Sequence, residues 1–133
     1  MKRLIGILLV AWAMAGPARA DETAIRTVIA DQIEAFQADD FVTAFSFASP
    51  TIQGIFRTPE NFGTMVREGY PMVWRPKETR FLGVDVIDGQ LWQNVLIRDQ
   101  QDQLHILEYQ MINSETGWKI NAVRLRKEPE GTA

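Results

Sequence analysis

The chain has 133 residues, of which 46% are hydrophobic and 23% charged, and it contains no cysteine. This length and composition are typical of one globular domain that folds without disulfides, and the lack of cysteine also excludes lipid attachment at a cysteine. The net charge of −3 disfavours nucleic acid or an anionic membrane as a partner.

Residues 1–20 differ in kind from the rest of the chain. Basic residues at the start precede an apolar run over residues 4–15, and a small-residue pattern then ends at Ala20. This pattern is typical of a secretory signal peptide that is cleaved after Ala20. The apolar run is short for a hydrocarbon core of ~30 Å, so an uncleaved anchor is the less favoured alternative. We expect a periplasmic or secreted protein with no membrane insertion after cleavage, and residues 21–133 then carry a net charge of −6.

The first helix is predicted over residues 21–39. Apolar residues recur there at three- and four-residue steps, which favours an amphipathic helix. Asp21 and Glu22 suit its positive N-terminus. Asp39 and Asp40 then interrupt the pattern, and we expect them to cap a second, shorter helix.

Two Ser/Thr-Pro pairs predict further helix starts. Ser49-Pro50 and Thr58-Pro59 each combine an N-cap residue with proline at the first helical position. A short turn and a third helix are therefore expected, the latter ending at Gly69 with a left-handed residue. The connector that follows, residues 70–76, contains two prolines and cannot be helical throughout.

Four strand patterns then follow one another, each rich in β-branched, leucine and aromatic residues. They cover Arg80 to Ile87, Leu91 to Arg98, Gln103 to Ile112 and Trp118 to Arg126. The breaks between them are too short for a crossover helix, so sequential strands must be antiparallel neighbours. The polar tail over residues 127–133 is expected to lie outside the domain, which spans residues 21–126.

A trial register places most apolar strand residues on one face. It pairs Val86 with Trp92, Leu96 with His105 and Met111 with Trp118. The predicted inner face then consists of Leu82, Val84, Val86, Trp92, Asn94, Leu96, His105, Leu107, Tyr109, Met111, Trp118 and Ile120. A change of parity in the last strand predicts a β-bulge near Asn121-Ala122. A one-residue slip of the third strand would instead turn Glu108 inward.

Helices followed by an antiparallel meander predict an α+β fold with the helices on one face of the sheet. The helix order, the aromatic connector and a closing hairpin around Gly117-Trp118-Lys119-Ile120 resemble the nuclear transport factor 2-like superfamily. Four segments more closely resemble the bacterial envelope proteins grouped as domain of unknown function 4864. These segments are Asp39-Asp40-Phe41, Phe47-Ala48-Ser49-Pro50, Gly69 to Pro76 and Leu107 to Met111.

The superfamily resemblance implies a curved four-stranded sheet and helices that form a cone, whose open end can hold a ligand. Members of this superfamily include isomerases, dehydratases, non-catalytic binding modules and assembly domains, so the resemblance does not determine the function. We expect a non-catalytic module that binds a small apolar ligand or a protein partner. The alternative is a cofactor-free isomerase or lyase that uses His105 as its base.

Three polar groups lie on the predicted inner face. His105 is the only histidine, and its imidazole could act as a base near neutral pH. Tyr109 or Asn94 could donate a hydrogen bond to a ligand oxygen, with Trp92 beside them on the same face. A structural role within the protein is the competing explanation for each of these polar groups.

The connector offers further candidates for ligand binding. Tyr70, Trp74 and Arg75 could line the mouth of the cone, with Arg75 available to an anionic group. Alternatively, Tyr70 and Trp74 fill the wide end of the cone while Arg75 pairs with a surface carboxylate.

No metal site or cofactor is predicted, because one histidine and scattered carboxylates give no ligand spacing and no Gly-rich phosphate loop exists. The opposite face of the predicted sheet still carries many apolar side chains, which favours a homodimer through that outer face. They are Phe81, Ile87, Val95, Ile97, Leu104, Ile106 and Ile112. Helix or tail segments folded over this face are the alternative.

Overall fold

A computed structural model describes residues 4–126, with side chains from residue 21 onward. Five helices precede four strands, and these elements are α1 (Leu4–Gln37), α2 (Phe41–Ser46), α3 (Pro50–Phe56), α4 (Pro59–Gly69), α5 (Pro71–Trp74), β1 (Glu78–Ile87), β2 (Gln90–Arg98), β3 (Leu104–Ser114) and β4 (Gly117–Leu125). The predicted α+β fold is confirmed, with helices packed against a four-stranded antiparallel sheet. Within the described part of the chain, no helix is long and apolar enough to span a membrane.

Helix α1 is longer than the sequence pattern predicts. It begins at Leu4 and runs without a break through Ala20, the expected cleavage position. Asp21 and Glu22 therefore lie within the helix and not at its N-terminus, which corrects the predicted helix start. The side chains of the expected signal peptide and the tail over residues 127–133 lie outside the described residues.

The predicted helix caps at Asp40, Ser49 and Thr58 are confirmed. Each side chain accepts a hydrogen bond from the backbone amide three residues later, at 3.1, 3.2 and 3.1 Å respectively. The predicted left-handed residue at Gly69 is wrong, because Gly69 is the last helical residue of α4 and does not have a positive φ. The chain instead leaves α4 at Tyr70, with φ of −136°, and α5 starts immediately afterwards.

The sheet has the order β1-β2-β3-β4, which confirms the meander. Its register differs from the trial pairing: Leu96 lies opposite Ile106, and Ile97 lies opposite His105. Because neighbouring residues point to opposite faces, this shift turns the side chains of β2 to the other side of the sheet. Strand β3 keeps the predicted orientation.

The two hairpin loops next to β2 explain the shift. Asp88 and Gly89 alone connect β1 to β2 and both have positive φ, 51° and 77°, as a type I′ turn requires. Residues 99–103 connect β2 to β3, because Arg98 pairs with Leu104. The trial register assumed a three-residue and a four-residue loop in these places.

Bulges interrupt both edge strands. In β4, Ile120 and Ala122 lie opposite consecutive residues of β3, so Asn121 is the extra residue and the predicted bulge is confirmed. In β1, the register shifts between Phe81 and Val84, where two residues oppose one of β2. Both bulges change which residues of the strand face the helices.

The hydrophobic core lies between the helices and the inner face of the sheet. It includes the predicted stripe of α1, with Ile25, Ile29, Ile33 and Phe36 at most 5% exposed. Phe62 on α4 is the centre of an aromatic cluster. One phenylalanine from each of α1, α2 and α3 surrounds it, with ring centroids between 5.2 and 5.7 Å from that of Phe62. The strands contribute Val95, Ile97, Leu107, Tyr109, Met111 and Ile120.

Candidate functional site

A pocket of about 410 Å³ lies between the helices and the β3–β4 half of the sheet. Helices α1, α3, α4 and α5 contribute to its wall, together with β3 and β4. The lining residues are Gln32, Phe36, Ala48, Ile52, Phe56, Phe62, Met65, Val66, Tyr70, Val73, Tyr109, Ile120, Ala122 and Val123. A pocket of this volume with a mainly apolar lining is typical of small-molecule sites.

The pocket has a buried floor and a half-exposed rim. Phe36, Phe62 and Tyr109 belong to the buried floor, whereas Ile52 and Phe56 on α3 belong to the rim. No residue of α3 is fully buried, so this helix covers the pocket without being embedded in the core. Among the described residues that line the pocket, none carries a charge.

Tyr109 is the polar residue of the pocket floor that the sequence predicted for the site. Its side chain is fully buried, and its hydroxyl has no hydrogen-bond partner among the residues that the structure describes. Burial raises the pKa of the Tyr109 hydroxyl well above its usual range. The group therefore remains protonated and is a hydrogen-bond donor.

Tyr70 also lines the pocket, as predicted, but at its rim. Its hydroxyl donates to the backbone oxygen of Val123 at 3.3 Å. This hydrogen bond links the end of α4 to β4 across the rim. The structure thus brings Tyr70 and Tyr109 together around one pocket.

Trp74 and Arg75 do not line the pocket. The Arg75 guanidinium lies over the Trp74 ring, 4.2 Å from its centroid, and donates to both carboxylate oxygens of Asp39. It also donates to the backbone oxygens of Phe36 and Gln37, so it satisfies carbonyls at the C-terminus of α1. The alternative in which Arg75 pairs with a surface carboxylate describes this geometry.

The same contacts shift the acidity of Asp39. Hydrogen bonds from the indole of Trp74, at 2.9 Å, and from Arg75 lower the pKa of this carboxyl. Trp74 and Arg75 therefore close the end of α1 in this structure, and neither of them lines the pocket.

His105 lies on the inner side of β3 but is not among the pocket-lining residues. Its Nε2 atom is 2.8 Å from an Asp99 carboxylate oxygen. The hydrogen bond from His105 is the largest cause that lowers the pKa of Asp99, followed by one from the Gln103 amide. The imidazole thus stabilises the loop between β2 and β3, apart from Tyr109.

Asn94 and Trp92 lie on the outer face of the sheet, which corrects their predicted inward orientation. Asn94 donates to Asp85 at 2.9 Å, and Trp92 lies under the Arg124 guanidinium, whose central carbon is 4.0 Å from the ring centroid. They point outward because the two-residue turn at Asp88-Gly89 sets the register of β2.

The same register changes the composition of the outer face. Phe81, Val95 and Ile97, which were expected to make that face apolar, belong to the core. Glu108 lies on this face, as the trial register predicts, and accepts hydrogen bonds from Arg124 and Arg126, at 2.6 and 3.2 Å. Trp92 and Leu96 take the place of the three core residues on this face, and the homodimer through it stays a prediction.

Most of the pocket comes from helix residues that sequence reasoning missed. Gln32 and Phe36 on α1, with Ile52 and Phe56 on α3, were read as core positions or not assigned. The available signal was the weak apolar content of the Pro50–Phe56 segment, which is too short and too polar to fill the space beneath it.

The comparisons with known proteins identify a family and no function. No curated protein and no solved structure matches the chain. A family model described as Domain of unknown function (DUF4864) matches residues 18–133, a range that contains the whole pocket. The chain therefore belongs to this DUF4864 family.

Proposed function

We propose that the protein is a non-catalytic module that binds a small apolar molecule in the pocket between α1, α3, α4 and the β3–β4 hairpin. The observation that supports this function is the pocket itself, which has an apolar lining and a volume of about 410 Å³. Interiors normally close-pack, so an apolar molecule in this pocket would recover contacts that the side chains of the wall do not make with one another.

The catalytic alternative requires a base and a donor that face the same bound molecule. Only Tyr109 of the predicted pair lines the pocket, whereas His105 is hydrogen-bonded to Asp99 outside it. This arrangement favours binding over an isomerase or lyase reaction. A filled interior would favour a protein-interaction role, and the pocket supports ligand binding instead.

We further propose a nuclear transport factor 2-like fold and export to the periplasm or the exterior. The helices on one face of a four-stranded meander support the first proposal. The basic start, the apolar run and the small residues before Ala20 support the second. The family match begins at residue 18, close to the expected cleavage position, which is consistent with a leader outside the domain.

The binding proposal is tested with N-phenyl-1-naphthylamine, a neutral apolar dye that fluoresces in apolar surroundings. Val123 lines the rim of the pocket, so Val123→Phe should narrow it and weaken dye binding by about ten-fold or more, a loss of about 1.4 kcal/mol. The matched control is Val42→Phe, because Val42 is 66% exposed and lies outside the pocket. Circular dichroism checks that both variants fold.

The dye affinities of the two variants and of the unmodified protein can contradict the proposal in two ways. Equal dye affinity in Val123→Phe and Val42→Phe would contradict binding in this pocket. Absence of dye binding to the unmodified protein would contradict the proposed function as a whole.

A further inference from the structure

The Tyr109 hydroxyl is an orphaned polar group in the pocket wall. The side chain is fully buried, it lines the pocket, and its hydroxyl has no partner among the described residues. Buried hydroxyl groups are nearly always hydrogen-bonded, because leaving one unpaired forfeits its interaction with water. An orphan at this position therefore calls for a partner.

The surrounding polar groups do not supply that partner. The Tyr70 hydroxyl donates a hydrogen bond to the backbone oxygen of Val123, and the Gln32 side-chain amide donates one to the backbone oxygen of Ala44 at 3.1 Å. Gln93, the cross-strand neighbour of Tyr109, has a side-chain oxygen that is itself unpaired. None of these groups pairs with the Tyr109 hydroxyl, and a molecule held in the pocket that Tyr109 lines could supply the acceptor.

The character of the wall limits what that molecule can be. Burial keeps the Tyr109 hydroxyl protonated, so it offers a donor and the ligand must provide an acceptor. None of the described lining residues is charged, so an ionised ligand would lose its hydration without a counter-charge.

From these observations we propose the chemical class of the ligand, an inference that rests on the proposed binding function. The ligand is an uncharged, mainly apolar molecule with one hydrogen-bond acceptor, such as a ketone or ether oxygen. This oxygen accepts a hydrogen bond from the Tyr109 hydroxyl. The hydrocarbon part of the ligand contacts the phenylalanine and aliphatic side chains of the wall.

The test compares two probes of the same shape, 2-acetylnaphthalene and 2-isopropenylnaphthalene, which differ in an oxygen replaced by a methylene group. Their affinities are measured by displacement of the dye from the unmodified protein, Tyr109→Phe and Val42→Phe. The ratio of ketone to hydrocarbon affinity should fall about five-fold in Tyr109→Phe, which is the usual worth of one neutral hydrogen bond. Val42→Phe, at an exposed position outside the pocket, is the control, and its ratio should equal that of the unmodified protein.

The outcomes separate this inference from the proposed function. If both probes bind and Tyr109→Phe leaves the ratio unchanged, the assigned hydrogen bond is wrong and the binding function stands. If neither probe binds the unmodified protein, the binding function itself fails. Binding of 2-naphthoate as tight as that of the ketone would overturn the requirement for an uncharged ligand.

A spectroscopic measurement keeps the inference testable if Tyr109→Phe does not fold. The carbonyl stretching frequency of 2-acetylnaphthalene bound to the unmodified protein should lie below its value in a hydrocarbon solvent, because a hydrogen bond weakens the carbonyl bond. A frequency equal to that in hydrocarbon would overturn the inference.

Discussion

The two faces of the sheet differ in the charge of the polar side chains that they bury. On the inner face, Gln93 and Tyr109 are fully buried, and each has an oxygen atom without a partner among the described residues. On the outer face, Glu108 is 9% exposed and accepts hydrogen bonds from Arg124 and Arg126. Asn94 on the outer face also has a side-chain oxygen without a partner among the described residues, so the two faces differ in the buried ion pair of Glu108.

The difference arises from what covers each face. Helices and the pocket cover the inner face, whereas the described outer face is covered by its own long side chains. Arg124 extends across Trp92 and reaches Glu108, so both residues are buried without a second layer of secondary structure. A low exposed fraction alone consequently does not identify the core face of this sheet.

The largest expected effect comes from placing the same charge on the two faces of β2. Val95 is fully buried on the inner face, so Val95→Asp should destabilise the protein by more than about 4 kcal/mol or prevent folding. Leu96 is half-buried on the outer face opposite Arg80, so Leu96→Asp should cost at most about 1 kcal/mol. Urea denaturation measures both free energies of unfolding.

These neighbouring substitutions also decide the register. A stable Val95→Asp together with an unfolded Leu96→Asp would mean that β2 faces the other way. That result would return Trp92 and Asn94 to the inner face and contradict the comparison of the faces.

A smaller effect is expected at the centre of the outer face. Glu108→Gln keeps the shape of the side chain but removes the charge that pairs with Arg124 and Arg126. Because both arginines are about half exposed, we expect a loss of about 1–2 kcal/mol near pH 7. The loss is measured as the difference in the free energy of unfolding.

The pH dependence of that loss supplies its control. Burial raises the pKa of Glu108, but the hydrogen bonds from Arg124 and Arg126 outweigh it and the net pKa is lowered. The stabilisation is therefore complete above the ordinary pKa of glutamate and is lost as the pH falls through the lowered pKa. A constant difference between Glu108→Gln and the unmodified protein down to acid pH would contradict this pairing.

A weaker pH effect is expected at the end of the inner face. The hydrogen bond from His105 lowers the pKa of Asp99. The ionised Asp99 carboxylate therefore stabilises the fold above the ordinary pKa of aspartate, and this stabilisation is lost as the pH falls through the lowered pKa. His105→Ala should flatten the acid limb of thermal stability against pH. Asp99→Asn should flatten it as well, and an unchanged limb in both variants would contradict the pairing.

The smallest expected effect concerns the helix that covers the inner-face pocket. Arg57 follows α3 with φ of 73° and ψ of −43°, a region that favours glycine. Arg57→Gly should raise the melting temperature, with a gain of about 0.5–1 kcal/mol. Arg67→Gly within α4 is the matched control and should lose about 1 kcal/mol. Destabilisation by Arg57→Gly would mean that its side chain outweighs the backbone strain.

The sequence patterns predicted three of the five helices, the four strands and the orientation of one of the two central strands. In β3 the orientation is right, because one of its faces includes Leu107, Tyr109 and Met111 while the other includes Glu108. In β2 each face contains apolar residues and one buried amide, Gln93 or Asn94. Hydrophobicity cannot choose between such faces, so the hairpin turns decide.

The turn chemistry was a signal that could have corrected the register. An Asp-Gly pair favours a two-residue type I′ turn, and Asp88-Gly89 forms one. In the next loop, Asp102 has φ of 65°, and Asp99 accepts hydrogen bonds from the Gln101 and Gln103 amides. Aspartate tolerates such conformations, which allows the longer five-residue loop.

The pocket could be predicted only in part. Tyr109 and Tyr70 were identified because polar aromatic residues stand out in strand and connector patterns. The helix-borne wall around Phe36 and Ile52 could not be, since periodicity assigns a residue to a buried face and does not show whether that face is filled.

The bulge between Phe81 and Val84 has a consequence for solubility. The exposed edge of β1 ends in Val86 and Ile87, which are 71% and 41% exposed, and a continuous edge with such residues would invite strand addition by other chains. The bulge divides this edge into two short segments that cannot both align with one straight strand. The irregularity that orients the inner face thereby also protects the protein against aggregation along its first strand.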